Sequence, residues 1–251
     1  MQLRALRRDR AARIGPEMFL LDRTFEDCLE RIVLVQRRFG RALVIGCPDP
    51  RWPARLAEFA DEIDVRDPGP LFARAAGGKV IVEDSWEPPP ATYDLVMAIG
   101  TLDTVNGLPI ALALIRHAMM SGGLFIGAMS GGNTLPQLRA AMRAADALTG
   151  AAAPHVHPRI EAAALAPLLT TAGFVNPVVD LDRVQVAYKS FDRLVDDLRA
   201  MGATNSLIER GTPLSRAARH AAVRSFSENG DGSQTIETFE ILHFAAWTAQ
   251  G

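Results

Sequence analysis

The sequence predicts an α/β fold: a mostly parallel sheet with helices on both faces and a C-terminal helical cap. Three observations carry this reading. Residues 41–46, 62–67, 79–84, 93–100 and 123–129 read as short strands, and all but the charged 62–67 carry the apolar runs expected of strands buried on both faces. Helical patterns at 52–60 and 108–120 fall between them, and strands alternating with helices form parallel sheets. The first four runs end at Gly46, Asp67, Asp84 and Gly100, and ligands of such sheets sit beyond the carboxyl ends of the strands.

The elements follow in order. Residues 1–10 are locally basic and rich in helix formers. Charge runs usually serve solubility, so a solvated helix face is favoured over an arm that touches an acidic partner. Residues 19–39 place Phe19, Leu20, Phe25, Leu29, Ile32, Val33, Val35 and Phe39 at broadly helical spacing. After the fifth run come a helix at 134–148, a breaker at 150–154 and a helix at 161–172 closed by Gly173. Strands at 178–181 and 184–188 precede a helix at 191–201 capped by Gly202. A turn cluster at 228–232 leads into a last strand at 238–247. The organisation is therefore 1–34 N-terminal helices, 35–150 core, and 151–251 last strands and cap of the same domain.

The 251 residues are 48% hydrophobic and 22% charged, enough for a sizeable core without disulfides or metals. Lys+Arg 27 against Asp+Glu 29 gives a net charge of −2, too weak a field to hold nucleic acid. Cys28 and Cys47 form no disulfide framework, which fits a reducing compartment. No apolar run approaches the roughly 18 residues of a membrane span, and the Arg-rich start lacks a signal peptide's apolar segment. A cytoplasmic location is expected, with no nucleic-acid partner and no transmembrane segment.

A strand, a glycine turn, a helix and an acid ending the next strand lay out a nucleoside site. Glycine lets the backbone approach the ligand, and the acid accepts from ribose hydroxyls. Asp67 lies about 20 residues after Gly46, where a ribose acid belongs. Asp84 ends the third run and could meet an adenine amine. Cys47 at the turn is a reactive thiol if its pKa is lowered, and otherwise a small packed residue, the favoured reading. His155 and His157 flank Val156, and Glu161 or Asp182 could complete a facial triad. No further ligand spacing supports it, so no metal is expected. Trp52, Trp86 and Trp247 read as packing units. No Ser/His/Asp order, phosphate loop or carboxylate pair appears, so no catalytic residue is assigned.

Several segments resemble a known family. They are Val105-Asn106-Gly107-Leu108-Pro109, Gly122-Gly123-Leu124-Phe125, and Gly131-Gly132-Asn133-Thr134-Leu135 with Leu138-Arg139. Further on come Pro154-His155-Val156-His157-Pro158, Leu168-Leu169-Thr170-Thr171-Ala172-Gly173-Phe174, Asp180-Leu181-Asp182 ahead of Val186-Ala187-Tyr188, and Asp197-Leu198-Arg199-Ala200-Met201-Gly202-Ala203-Thr204-Asn205. The chain resembles class I S-adenosylmethionine-dependent methyltransferases, in the branch of the respiratory complex I assembly factor and the biotin-synthesis methyltransferase. The resemblance implies a Rossmann-like seven-stranded sheet with a C-terminal insertion near the site. It also implies S-adenosylmethionine as cofactor and a complex I subunit as partner. In the mitochondrial relatives the reaction is arginine hydroxylation and not methylation. The rival readings are a non-catalytic assembly factor with a degraded pocket, and a small-molecule or carrier-protein methyltransferase. Gly46, Cys47, Asp67, Asp84 and Gly100 are the cofactor-binding candidates. His155, Tyr188 and Asn205 are the substrate-side candidates.

The first family motif is altered here. Its acid is Val44, and its second and third glycines are Pro48 and Pro50. The usual His-Trp is Asp103-Thr104. Proline removes a donor and fixes φ near about −65°. Weak or absent S-adenosylmethionine binding is therefore expected.

Overall fold

The computed structural model describes residues 2–150, 152–207 and 213–250. Two helices open the chain, α1 (Gln2–Ile14) and α2 (Phe19–Val35). They meet at Gly15, whose φ of +92° suits glycine. Then come β1 (Phe39–Ile45), α3 (Trp52–Leu56), β2 (Ala60–Asp67), α4 (Pro70–Ala75) and the two-residue β3 (Lys79–Val80). Next are β4 (Tyr93–Ile99), α5 (Leu108–Ala118), β5 (Met119–Ser130) and α6 (Pro136–Thr149). The chain ends with α7 (Ala162–Thr171), β6 (Phe174–Tyr188), α8 (Phe191–Ala200), α9 (Arg216–Glu228) and β7 (Thr235–Thr248).

The strands form one sheet in the order β3-β2-β1-β4-β5-β7-β6. The pairs from β3 to β5 are parallel, and β7 runs antiparallel to both neighbours. This is the mostly parallel α/β sheet expected from the apolar runs. The period of two divides the core. Leu43, Ile45, Val96 and Phe125 face Leu112, Ile115 and Leu169 on one side. Val44, Leu95, Met97 and Ile126 face Phe25, Ile32 and Trp52 on the other. A third cluster packs α6, α8 and α9 on the outer part of β7, with Leu138, Leu194, Phe226 and Phe239 at its centre. No helix among the described residues is long and apolar enough to cross a membrane.

Four expectations need correction. The third run is a strand only over Lys79–Val80, because Ser85 N–H bonds Val82 O and the chain turns away, bringing Glu83 inward. The two strands expected at 178–188 are one, β6. Its polar centre continues as strand, with Asp180 and Asp182 held by Arg31 and Arg23 of α2. Helix α9 was not expected, since its buried face is mostly alanine, Ala218, Ala221 and Ala222, with only Phe226 large. The basic N-terminus is not a solvated face: Arg4 and Arg8 are buried. The breaker expected at 150–154 includes Ala151, which lies outside the described residues.

Candidate functional site

The carboxyl edge of the sheet is built from buried ion pairs. Asp67 ends β2 and is fully buried. One of its oxygens accepts from Arg8 Nε at 2.7 Å and Gly69 N–H at 2.7 Å. The other accepts from an Arg8 terminal nitrogen at 2.5 Å and Cys47 N–H at 2.8 Å. An ionised carboxylate has about four lone-pair sites, so this one has no acceptor left. Glu83, equally buried, takes both terminal nitrogens of Arg4, at 2.8 and 2.9 Å. Arg4 also donates to Thr101 O at 2.7 Å, just past β4. A third pair, Arg159–Asp103, is 2.6 Å apart and is also buried. Burial alone would lower the Arg8 guanidinium, but Asp67, with Glu83 and Asp103 behind it, holds it above its ordinary value.

Sterics fix α1 in this seat. A Cβ on Gly69 would lie 2.7 Å from Arg8 Cβ, and one on Gly202 would lie 3.3 Å from Arg8 Cα. The Arg8 guanidinium also sits 5.1 Å from the Phe72 ring centre of α4.

In this structure the expected cofactor residues make their contacts within the chain. A Cβ on Gly46 would meet Ile99 O at 2.3 Å, so this glycine lets the turn press on β4. Its N–H donates to Arg66 O. Cys47 is buried. Burial, then Asp67 and Asp49, push its thiol up to about 12, so it stays protonated. Asp84 is half-buried and accepts from Gly107 N–H at 3.0 Å. Gly100 has φ +61° and faces Leu21 of α2. With α1 docked, the residues present do not fit an adenosyl group: the ribose acid is full, and Gly46 and Cys47 spend their N–H groups inside the chain.

Two cavities lie beyond this edge. The first, about 90 Å³, is walled by Leu20 and Leu21 of α2, Met129 of β5, Leu198 of α8 and Ile241 of β7. Thr134 and Arg159 also line it, and the Thr134 hydroxyl and Arg159 Nε have no hydrogen-bond partner among the described residues. The second, about 400 Å³, brings His155 and Asn205 together with Leu138, Met142, Phe191 and Val195. His155 Nε2 lies 2.7 Å from Asp146, and Asn205 Nδ2 donates to Pro154 O at 2.5 Å. Tyr188 does not line it. Its ring is buried, and burial and the Asp197 carboxylate push its phenol well up. Burial lowers the pKa of His157, which lies near Arg159, Asp103 and Arg4. Among the described residues, no group of three or more His, Cys, Asp or Glu side chains is placed to hold a metal ion.

Sequence reasoning missed Arg4, Arg8, Glu83, Asp103 and Arg159. The available signal was Arg4 and Arg8 at i, i+4, with Ala11 continuing the same face, opposite acids at two strand ends.

The fold and this edge can be set beside known proteins. No family-wide sequence model matches the chain. A Danio rerio protein described as arginine-hydroxylase NDUFAF5, mitochondrial, is 33% identical over 230 residues, covering 87% of this chain and 71% of that one. The chain belongs to the NDUFAF5 family. Its Mus musculus member is 38% identical over 163 residues, 62% of this chain and 46% of its own. The chain spans about half the length of the mouse and rat NDUFAF5 proteins, at 46% and 50%. A malonyl-[acyl-carrier protein] O-methyltransferase from Xylella fastidiosa is 34% identical over 160 residues, 62% of this chain and 52% of its own. Among solved structures, YcgJ from Bacillus subtilis superposes with a TM-score of 0.61 at 10% identity, over 90% of this chain and 99% of that one. A Haemonchus contortus phosphoethanolamine N-methyltransferase holding S-adenosylhomocysteine gives 0.51 at 15% identity, over 85% and 50%. The NDUFAF5-family chain thus has the class I methyltransferase fold, and a fold neighbour binds the adenosyl cofactor. Of the cofactor-binding candidates, Asp67 is engaged with Arg8 of α1, and Gly46, Cys47 and Asp84 hydrogen-bond to other parts of the chain.

Proposed function

We propose that the chain acts in the maturation or assembly of respiratory complex I, on an arginine-bearing segment of a subunit, with weak or absent binding of S-adenosylmethionine. Family membership supports the partner, and the activity named for the relatives, arginine hydroxylation, supports the arginine. The observation that supports weak cofactor binding is Asp67, whose acceptors are all engaged within the chain. A reading that depends on tight cofactor binding must first undo those bonds. Subunit modification and assembly without catalysis both remain compatible with this edge. Segments 1–34, 35–150 and 151–251 work as one domain in this proposal. His155 and Asn205 face the subunit, and Tyr188 shapes the wall behind them. The location proposed is cytoplasmic, and cell fractionation tests it.

The second reading is a carrier-protein methyltransferase, favoured by the Xylella fastidiosa relative. Deleting the protein in its source cell separates the two. Loss of assembled complex I is expected, and intact complex I overturns the leading reading. Mass spectrometry of complex I subunits from the deletion strain then reads a missing arginine modification, or none for a pure assembly role. Calorimetry on ligand-stripped protein checks the cofactor. A dissociation constant below about 10 μM, or −7 kcal/mol, overturns the weak-binding proposal.

A further inference from the structure

We infer that the carboxyl edge of the sheet is a guanidinium-binding site, that α1 is its displaceable occupant, and that an arginine-bearing helix of a partner protein takes α1's place. The inference rests on geometry and not on the complex I reading.

The site's chemistry selects its ligand. Asp67 and Glu83 are both fully buried, and each holds an arginine through two nitrogens. Planar, paired donors of this kind come from arginine and not from lysine. A neutral ribose could donate to these oxygens but would leave two buried carboxylates without a cation. Whatever replaces α1 must therefore carry guanidinium groups, spaced as Arg4 and Arg8 are, one helical turn apart. The narrow seat between Gly69 and Gly202 requires the backbone to come close, as a slim helix does.

The attachment of α1 is suited to exchange. No residue of α1 belongs to any of the three apolar clusters. Leu6 and Ile14 are more than half exposed. Besides Arg4 and Arg8, Asp9 holds α1 by accepting from Leu71 N–H at 2.9 Å. At Gly15, the joint to α2, an added Cβ would meet nothing within 4 Å, so the joint is uncrowded. Swinging α1 out breaks the two arginine pairs, which an incoming arginine helix remakes, and of the buried apolar residues it uncovers Ala11 while the three clusters stay intact.

The test uses the full chain and a labelled peptide with the sequence of residues 2–14. In the Arg4→Ala/Arg8→Ala variant the resident helix no longer competes. The peptide is expected to bind this variant at least tenfold more tightly than the unaltered chain. Replacing the peptide's arginines at positions 4 and 8 with lysine is expected to weaken binding at least tenfold. Equal binding of arginine and lysine peptides, or no binding by the folded variant, overturns the inference. Tighter binding of S-adenosylhomocysteine than of the peptide would make the seat a nucleoside site and overturn it as well. A dimer of the unaltered chain that the peptide dissociates would give the seat to a second copy's α1 and overturn the partner assignment. Should the variant not fold, hydrogen exchange on the unaltered chain decides. Excess peptide is expected to speed exchange of α1 amides severalfold while β2 stays protected, and unchanged α1 protection refutes displacement. Complex I assembly enters none of these measurements, so either proposal can fail alone.

Discussion

Helices α1 and α2 are neighbours of 13 and 17 residues, yet they are held in opposite ways. α2 buries Leu20, Phe25, Cys28, Leu29 and Ile32, and Phe25 stacks flat on Trp52 with ring centres 4.4 Å apart. Each large side chain so buried contributes about 1.5–3 kcal/mol. The apolar residue that α1 buries is Ala11, and its anchors are Arg4, Arg8 and Asp9. A helix held by apolar area forms with the core, because its stabilisation is non-directional. A helix held by buried ion pairs is specified by geometry and contributes little net stability, since desolvation offsets most of the attraction. The first is scaffold and the second is a docked part.

Substitutions should separate the two. Phe25→Ala is expected to cost about 3–5 kcal/mol, seen as a large drop in the urea midpoint with the slope unchanged. A loss under about 1 kcal/mol would deny α2 its scaffold role. Arg8→Ala should cost about 3 kcal/mol at most. A trapped partner carboxylate would lose about 3–5 kcal/mol, but here α1 can undock and let water reach Asp67. Limited proteolysis should then cut near Gly15 in this variant and not in Phe25→Ala at native temperatures.

A smaller effect concerns His243 on β7, which faces Asp27 and Arg31 of α2 and Asp182 of β6. Its Nδ1 is 2.7 Å from Asp27. Burial lowers its pKa, against the pull of Asp27, so the unfolded chain takes up a proton near pH about 6.5 before the folded chain does. Stability is expected to be full above that pH and to fall as pH drops towards the folded value. Melting curves from pH 7.5 to 5 should fall less steeply for His243→Gln, and identical slopes would refute this. The smallest effect is Arg23→Ala. Its pair with Asp182 is half-exposed and should be worth about 0.2–1 kcal/mol, fading with added salt.

The scaffold was legible in the sequence and the docked part was not. The segments Leu43-Val44-Ile45 and Leu95-Val96-Met97 are apolar without a break, and only strands buried on both faces need that. Gly46 and Asp67 were correctly placed at strand ends, but what covers them is set by a helix with five arginines. Charge runs are usually solvated, and nothing local distinguishes a buried arginine from an exposed one. The distinction lies in its partners, 59 and 79 residues away. Glu83 was hidden for the same reason: beside Asp84, it reads as one of two interchangeable acids. Helix α9 was hidden by its alanines, although Ser215, which caps it by accepting from Ala218 N–H, marked its start.

Strand β6 closes the sheet at its far side and, among the described residues, has no further strand beside it. A free rim of 15 residues carrying exposed Val178 and Leu181 is a template on which another chain could polymerise. Pro177 offers no N–H there, and Asn176, at φ +50°, breaks the register between Val175 and Val178. Beyond that kink, Asp180, Asp182 and Arg183 place charge along the rim. The carboxylates that tether β6 to α2 thus also put charge on this rim, and that part of its protection against fibre growth would go with them even if the fold survived.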